Sequence, residues 1–301
     1  MQKGWRVVAE LGLGVLRVRG ADARTFLQGQ LSNDVMRLET GRLQLSGYHT
    51  PQGRTIALLR LTPLAADDVL GVLPRELVAT VVTRLKRYVL RSKAQLSDES
   101  ANWTLRGYQG PAPVVPAGAL CLPWGSSRQL LLIPGSPGPA ADETPAGTAA
   151  DWVASDIADG LPQVYEATSE AFVAQMLNLD VTGGIALDKG CYTGQEIIAR
   201  AHYRGQVKRR MQRFASQAPC DLKPGQTGVL ADGRSFKVVE AVALADGRCE
   251  FLAVANPAPG TGVVPEQHED PAAAAHTQTP LPALQLALPY ELPPPRAAAG
   301  L

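Results

Sequence analysis

Apolar and polar positions alternate through residues 5–19, where Leu16 and Val18 interleave with Arg17 and Arg19, and this period of two predicts a strand. Gly20 breaks it, and Asp22 stands at an N-cap position. Ala23, Phe26, Leu27 and Leu31 then recur at helical spacing, so 22–31 reads as an amphipathic helix. HTPQGRTIALLRL at 49–61 is a turn followed by a strand of the buried type. PRELVATVVTRLKRYVL at 74–90 reads as a helix running into a strand. EATSEAFVAQMLNLD at 166–180 reads as another helix, with Phe172, Met176 and Leu179 on one face. Between them, 107–150 is rich in Pro, Gly and Ala and predicts a variable stretch with one strand, QLLLI at 129–133.

Beyond 205 the pattern changes. Ala-Asp-Gly turns at 231–233 and 245–247 separate SFKVVEAVAL from RCEFLAVAN, which predicts a β-meander and a small C-terminal barrel or sheet. Residues 257–283 are rich in Pro and Ala, LQLALPYEL supplies a last strand, and PPPRAAAGL reads as a tail. The class expected is α+β with a β-rich C-terminal domain, divided into 1–205 and 206–301.

Composition narrows the class of function. Of 301 residues, 45% are apolar and 19% charged, enough to build a core and too apolar for a disordered chain. The uncharged run 110–127 holds Pro111, Pro113, Pro116 and Pro123, which excludes a simple membrane-spanning helix. Glu10 interrupts the N-terminal apolar stretch and no small-residue cleavage site follows, so no signal peptide is read and a cytoplasmic protein without a membrane partner is expected. The cysteines, at 121, 191, 220 and 249, show neither CxxC spacing nor a nearby His at zinc-ligand spacing. No metal site and no disulfide framework are expected from them.

Charge changes the picture locally. The totals, 29 Lys and Arg against 28 Asp and Glu, give a net charge of +1 and no general affinity for polyanions. Yet 129–188 contains no Lys or Arg, while positive residues cluster at Arg84, Lys86, Arg87, Arg91 and Lys93, and again at Arg200, Arg204, Lys208, Arg209, Arg210 and Arg213. Such clusters suit a glutamate tail, a phosphate or an RNA backbone, or else a solvated face paired with the acidic middle.

The chemistry concentrates in GGIALDKGCYTGQEIIARAHYRGQVKRR at 183–210. Thr193 and Glu196 have capping-box spacing, Ile197, Ile198 and Ala201 form an apolar stripe, and Gly205 offers a stop, so a helix over about 194–204 is expected. Cys191 then lies just before a helix N-terminus with Lys189 two residues away, and both favour a thiolate. Gly190 and Gly194 leave room for a partner to approach. A small buried residue in a tight turn is the competing reading of Cys191. No nucleophilic triad and no phosphate-binding loop stands out, and Trp152 serves either as a flat face for a planar ligand or as a core anchor.

KGCYTGQE at 189–196, followed by RG at 204–205 and KRR at 208–210, closely resembles the signature of the YgfZ family of folate-binding proteins. That family is related to the aminomethyltransferase of the glycine cleavage system. GADARTFLQGQLSNDV, HTPQGRTIALLRL, LKRYVLRSK, DIADGLPQVYEATSEAFVAQMLNLD and LPYEL fall in the family's order, so the resemblance covers most of the chain outside 107–150 and 257–283.

The resemblance implies a ring of two pseudo-equivalent α+β lobes with a C-terminal β-barrel, and tetrahydrofolate in the central cavity. It implies support of iron–sulfur cluster assembly or repair and, through an iron–sulfur enzyme, of tRNA methylthiolation. Activity would depend on Cys191 with Lys189 in a motif completed by Gly190, Tyr192, Gly194, Gln195 and Glu196. The folate contacts expected are Trp152, Leu13, Arg87 and Arg200, with the strip 84–93 set by charge alone toward the glutamate tail. Leu13 replaces an aromatic residue of the family, and Ala57 stands where aminomethyltransferases carry their catalytic Asp, so glycine-cleavage activity is not expected. The alternatives are a folate-dependent one-carbon transferase and a tRNA-binding module that uses 200–213.

Overall fold

Glu10 and Gly12 both take left-handed backbone, and they split the expected first strand into β1 (Arg6–Val8) and β2 (Leu13–Arg19). The computed structural model describes residues 6–8, 10–110, 115–135, 147–203, 207–257 and 279–293. The expected stop at Gly205, its neighbour Arg204, and most of the 257–283 stretch and the tail lie outside them. Helix α1 (Ala23–Gln28) is shorter than expected, and Asp22 does not cap it. The Asp22 carboxylate instead accepts the Lys93 backbone N–H at 2.7 Å.

Strands β3 (Gln44–His49), β4 (Thr55–Ala65) and β5 (Asp68–Pro74) lead into helix α2 (Arg75–Lys86), followed by β6 (Gln95–Asp98). The expected strand at 87–90 is absent, because consecutive turns carry the chain away from α2 and Leu90 takes a φ of 42°. The strands pair antiparallel in the order β3-β4-β5-β2-β6. Leu16 and Val18 lie in the core with Leu77, Val78, Val81 and Leu85 of α2, while Val15, Leu70 and Val72 belong to a second cluster.

That second cluster joins the first sheet to the next. The stretch expected to be variable holds β7 (Trp103–Gln109), β8 (Leu120–Trp124) and β9 (Arg128–Pro134), which pair with β1 in the order β1-β7-β9-β8. The expected strand at 129–133 is β9, while local composition hid β8, which pairing stabilises, with Leu122, Leu130 and Leu132 packed on Val15, Leu70 and Val72. Helix α3 (Ala149–Ala158) starts with a capping box between Thr148 and Asp151, and its Trp152 lies in the same cluster.

The helix expected over 166–180 is two short 3₁₀ turns, Glu166–Thr168 and Ala174–Leu177. The backbone between them is claimed by the start of β4. Thr55 N–H donates to Phe172 O at 2.7 Å, and Glu170 N–H donates to Thr55 O at 2.8 Å. Left-handed Glu170 and Asn178 bound the stretch, while Phe172 and Leu179 still reach the core.

After helix α4 (Gln195–Tyr203), β10 (Arg210–Ser216), β11 (Thr227–Val229), β12 (Ser235–Ala243), β13 (Cys249–Ala255) and β14 (Ala283–Leu286) form a third sheet in the order β11-β12-β13-β10-β14. Instead of a fully laddered barrel, its two edges meet at a single parallel bridge, Leu230–Leu281. Phe214, Phe236 and Phe251 fill one cluster of this sheet, whereas Met211, Val239, Leu252 and Val254 join Ile157 of α3 in the main core. The C-terminal segment then returns, with the Tyr290 hydroxyl donating to Gly160 O at 2.8 Å beyond α3. The architecture is α+β, with two sheets of the N-terminal two-thirds and the C-terminal sheet meeting around α3.

Candidate functional site

Residues 183–189 have no regular secondary structure, and side chains on both sides sew them to the segment after α1. Asn33 Nδ2 donates to Gly183 O at 2.7 Å, Ser32 Oγ donates to Gly184 O at 2.6 Å, and Ala186 N–H donates to Ser32 O at 3.0 Å. Arg37 closes the outer edge on Asp188 at 2.9 Å while also bridging to Asp34 at 3.1 Å.

Lys189 is the strongest anchor. Its ammonium donates to three carbonyl oxygens, Gln28 and Leu31 at 2.7 Å and Asn33 at 2.8 Å. It also sits over the Tyr192 ring at 4.9 Å. Burial pushes its pKa down to about 8, against the pull of the Asp34 carboxylate. All three ammonium protons are used on backbone carbonyls, so Lys189 anchors the loop that carries Cys191.

Beyond Cys191 the chain is anchored again. Tyr192 is buried in the main core, and Gly194 takes a φ of 82° against the β3–β4 turn, where a Cβ would stand 2.5 Å from Thr50 O. Helix α4 begins at Gln195, and buried Gln175 donates to Ile198 O at 2.7 Å. Glu196 is exposed, and Gln195 is half-buried in the first turn. Cys191 itself is exposed, held between half-buried Lys189 and buried Tyr192. A Cβ on Gly190 would meet no atom within 4 Å, so the space beside the thiol is open. The buried-turn reading of Cys191 is excluded by its exposure.

His49 lies beneath this segment, its Cβ against Gly194 and its ring over Gly47. It is 1% exposed, neither ring nitrogen has a hydrogen-bond partner, and burial pushes its pKa down to about 3. The folded state thus binds fewer protons than the unfolded chain between about pH 3 and the ordinary value near 6.5, so stability falls as pH falls through that window. Urea unfolding should lose about 2 kcal/mol more between pH 7 and pH 5 in the wild type than in His49→Gln. Equal losses would show that His49 is not buried neutral.

A second polar centre lies where the three sheets meet α3. Arg128, on β9, is fully buried and binds Asp156 at 2.7 Å, Asp159 at 2.9 Å and Trp152 O at 3.0 Å. Trp124 Nε1 donates to Asp156 at 2.8 Å, and the guanidinium of buried Arg60 lies 4.1 Å from the Trp124 ring centre. The Tyr165 hydroxyl donates to Glu240. Burial raises Glu240 to about 7 and pushes the Tyr165 phenol higher still. Arg60 Nη1 and Arg128 Nε have no acceptor.

The expected folate residues divide between places. Trp152 and Leu13 share one apolar cluster, and Trp152 is 5% exposed with Arg128 4.5 Å above its ring, so it is a core residue rather than an open platform. Arg87 and Arg200 are exposed elsewhere, beyond α2 and on α4. Two members of the basic cluster 200–213 are ion-paired, Arg210 with Asp180 at 2.8 Å and Arg213 with Glu250 at 2.9 Å, and Arg209 donates to the Asn256 amide oxygen. Arg60, Tyr165 and Glu240 escaped sequence reasoning, because each stands singly in an apolar strand or a loop. Only their position opposite one another makes them a site.

No family model matches the chain. It is 32% identical over 304 residues to the tRNA-modifying protein YgfZ of Edwardsiella ictaluri, covering 89% of each chain. It is 31% identical over 267 residues to the protein of the same name from an Enterobacter species, covering 79% of this chain and 82% of that one. An uncharacterized protein of Haemophilus influenzae is 32% identical over 215 residues, or 70% of this chain and 74% of the other. Among solved structures, the glycine cleavage system aminomethyltransferase T of Bartonella henselae superposes with a TM-score of 0.67 at 15% identity, over 84% of this chain and 78% of that one. That likeness is one of fold.

Proposed function

The chain belongs to the YgfZ family of tRNA-modifying proteins, and from that premise we propose that it is an accessory protein of tRNA modification that acts through the thiol of Cys191. The observation that carries this reading is the exposed Cys191 between two anchors, half-buried Lys189 and buried Tyr192, with open space over Gly190. A thiol so placed is reachable by the surface of another protein, while Lys189 and Tyr192 keep the loop from collapsing over it. The client class implied by the resemblance is an iron–sulfur enzyme or assembly protein, and its cluster is then cargo that the thiol meets, not a resident group. In this reading residues 1–205 would form the folate-binding region and 206–301 the C-terminal β-domain.

Tetrahydrofolate is the cofactor of this reading, and the three-sheet junction supports it better than any single aromatic face. Arg60 Nη1 and Arg128 Nε lack acceptors, the Asp156 carboxyl accepts from Trp124, and the Glu240 carboxyl accepts from Tyr165. This donor and acceptor set matches a pterin edge, which offers acceptors to the arginines and amino donors to the carboxyls. When bound, a reduced folate supplies a nitrogen that carries one-carbon groups. Leu13 would add an apolar contact from the same cluster, and Arg87 and Arg200 take no part in the junction.

The reading is tested by expressing the chain in a strain that lacks its own family member and measuring methylthiolated nucleosides in hydrolysed tRNA. Restoration is expected; a deletion-level signal with the chain present at normal abundance overturns the reading. Tetrahydrofolate titration of the purified protein should change its tryptophan fluorescence saturably. No change would remove the cofactor from the account and leave the thiol.

A further inference from the structure

The strip that follows α2 keeps most of its charge unpaired. Arg84 pairs with Glu170 at 2.6 Å, but Lys86, Arg87, Arg91 and Lys93 are exposed and have no ion-pair partner among the described residues. Two exposed apolar side chains interrupt the charges: Tyr88 is 47% exposed and Leu90 88%.

The backbone presents these side chains rigidly. Tyr88 N–H donates to Leu85 O at 2.9 Å and Ser92 N–H to Val89 O at 2.7 Å. At the far end, Lys93 N–H is tied to the Asp22 carboxylate at 2.7 Å. Val89 packs on the core, while Leu90, left-handed with a φ of 42°, turns outward into solvent. A left-handed leucine is strained, and here no burial of its side chain offsets that strain. The strip also neighbours the thiol segment. Arg84, Arg87 and Tyr88 lie within electrostatic reach of the Tyr48 hydroxyl, and the next residue, His49, touches Gly194.

We propose that residues 86–93 dock a single-stranded segment of RNA, an unpaired loop of a tRNA, with phosphates at Lys86, Arg87, Arg91 and Lys93 and a base stacked on Tyr88. The inference rests on the reading that the chain serves tRNA modification. Phosphates alone, or a glutamate tail, would need only the cations. An exposed ring and an exposed leucine held among them suit a ligand that also has flat apolar faces.

The test is fluorescence anisotropy of the full chain with a labelled RNA stem–loop, using a paired RNA duplex and poly-L-glutamate as competitors. Tyr88→Ala should weaken stem–loop binding roughly fivefold to a hundredfold at an unchanged salt slope, and Tyr88→Phe should restore it, because stacking is worth about 1–3 kcal/mol per base. Arg87→Gln/Arg91→Gln should lower the slope of log K against log salt by about 1.4, at about 0.7 per phosphate contact on a single strand. Tyr88→Ala binding like wild type overturns the proposal, as does equal displacement by duplex or poly-L-glutamate at matched charge. The two claims fail separately: anisotropy decides the surface, and the methylthiolated-nucleoside measurement decides the function.

Discussion

Arg128→Met should destabilise the protein by about 3–5 kcal/mol, read by urea unfolding at pH 7. The side chain of Arg128 is 1% exposed, and it is the cation for two carboxylates, Asp156 and Asp159. Methionine fills comparable volume, so the loss arises from the charge left behind rather than from a cavity. Asp159 keeps hydrogen bonds from Ser126 Oγ at 2.6 Å and Ser126 N–H at 3.2 Å. Asp156 keeps only the Trp124 indole N–H, so it carries most of the cost. Arg128→Met/Asp156→Asn should therefore recover about half of the lost stability, since asparagine still accepts from Trp124 without a charge. A loss under about 1 kcal/mol in the single variant would show that the buried pair is not held as described.

Lys189→Met should release the loop that carries Cys191. Three carbonyls, one at the end of α1 and two just beyond it, lose their donor together, and hydrogen bonds from a charged group contribute about 1.5–3 kcal/mol each before compensation by water. Because Gln28 and Asn33 are half-buried, water replaces part of this, and a local loss of about 3 kcal/mol is expected. Hydrogen exchange of the amides at 183–194 should then quicken roughly a hundredfold, with the third sheet unaffected. Unchanged protection in that loop would mean that Ser32 and Asn33 suffice to hold it. With protection lost, the thiol is still present but no longer positioned, and tRNA modification should fall with it.

These two residues also show where the sequence was legible. Periodic elements with local signals were readable: the β4 strand from the apolar run Ile56 to Leu59, α2 from its 3.6-residue stripe, and α4 from the stripe Ile197, Ile198 and Ala201. For Cys191 the sequence left two readings open, a reachable thiol beside Gly190 and Gly194 or a small buried residue, and only the fold separates them. Arg128 was not, because an arginine at the start of QLLLI reads as a solvated edge until Asp156 and Asp159, from a helix 28 and 31 residues away, close over it. Lys189 was legible as a motif residue but not in its role. Its partners are backbone oxygens more than 150 residues distant, and a carbonyl leaves no mark in the sequence. The 166–180 stretch failed for the opposite reason: its helical spacing is real, but the hydrogen bonds offered by Thr55 favour another backbone course.

The account's central claim is that function passes through the Cys191 sulfur and not through the fold that displays it. Cys191→Ala removes one exposed atom that packs against no core residue, so its melting temperature should match wild type within about 1 °C. The deciding measurement is the methylthiolated-nucleoside content of tRNA from a strain whose only family member is the Cys191→Ala chain. The account predicts a level near that of the deletion strain, with the variant folded and at normal abundance. Full restoration by the alanine variant would contradict it.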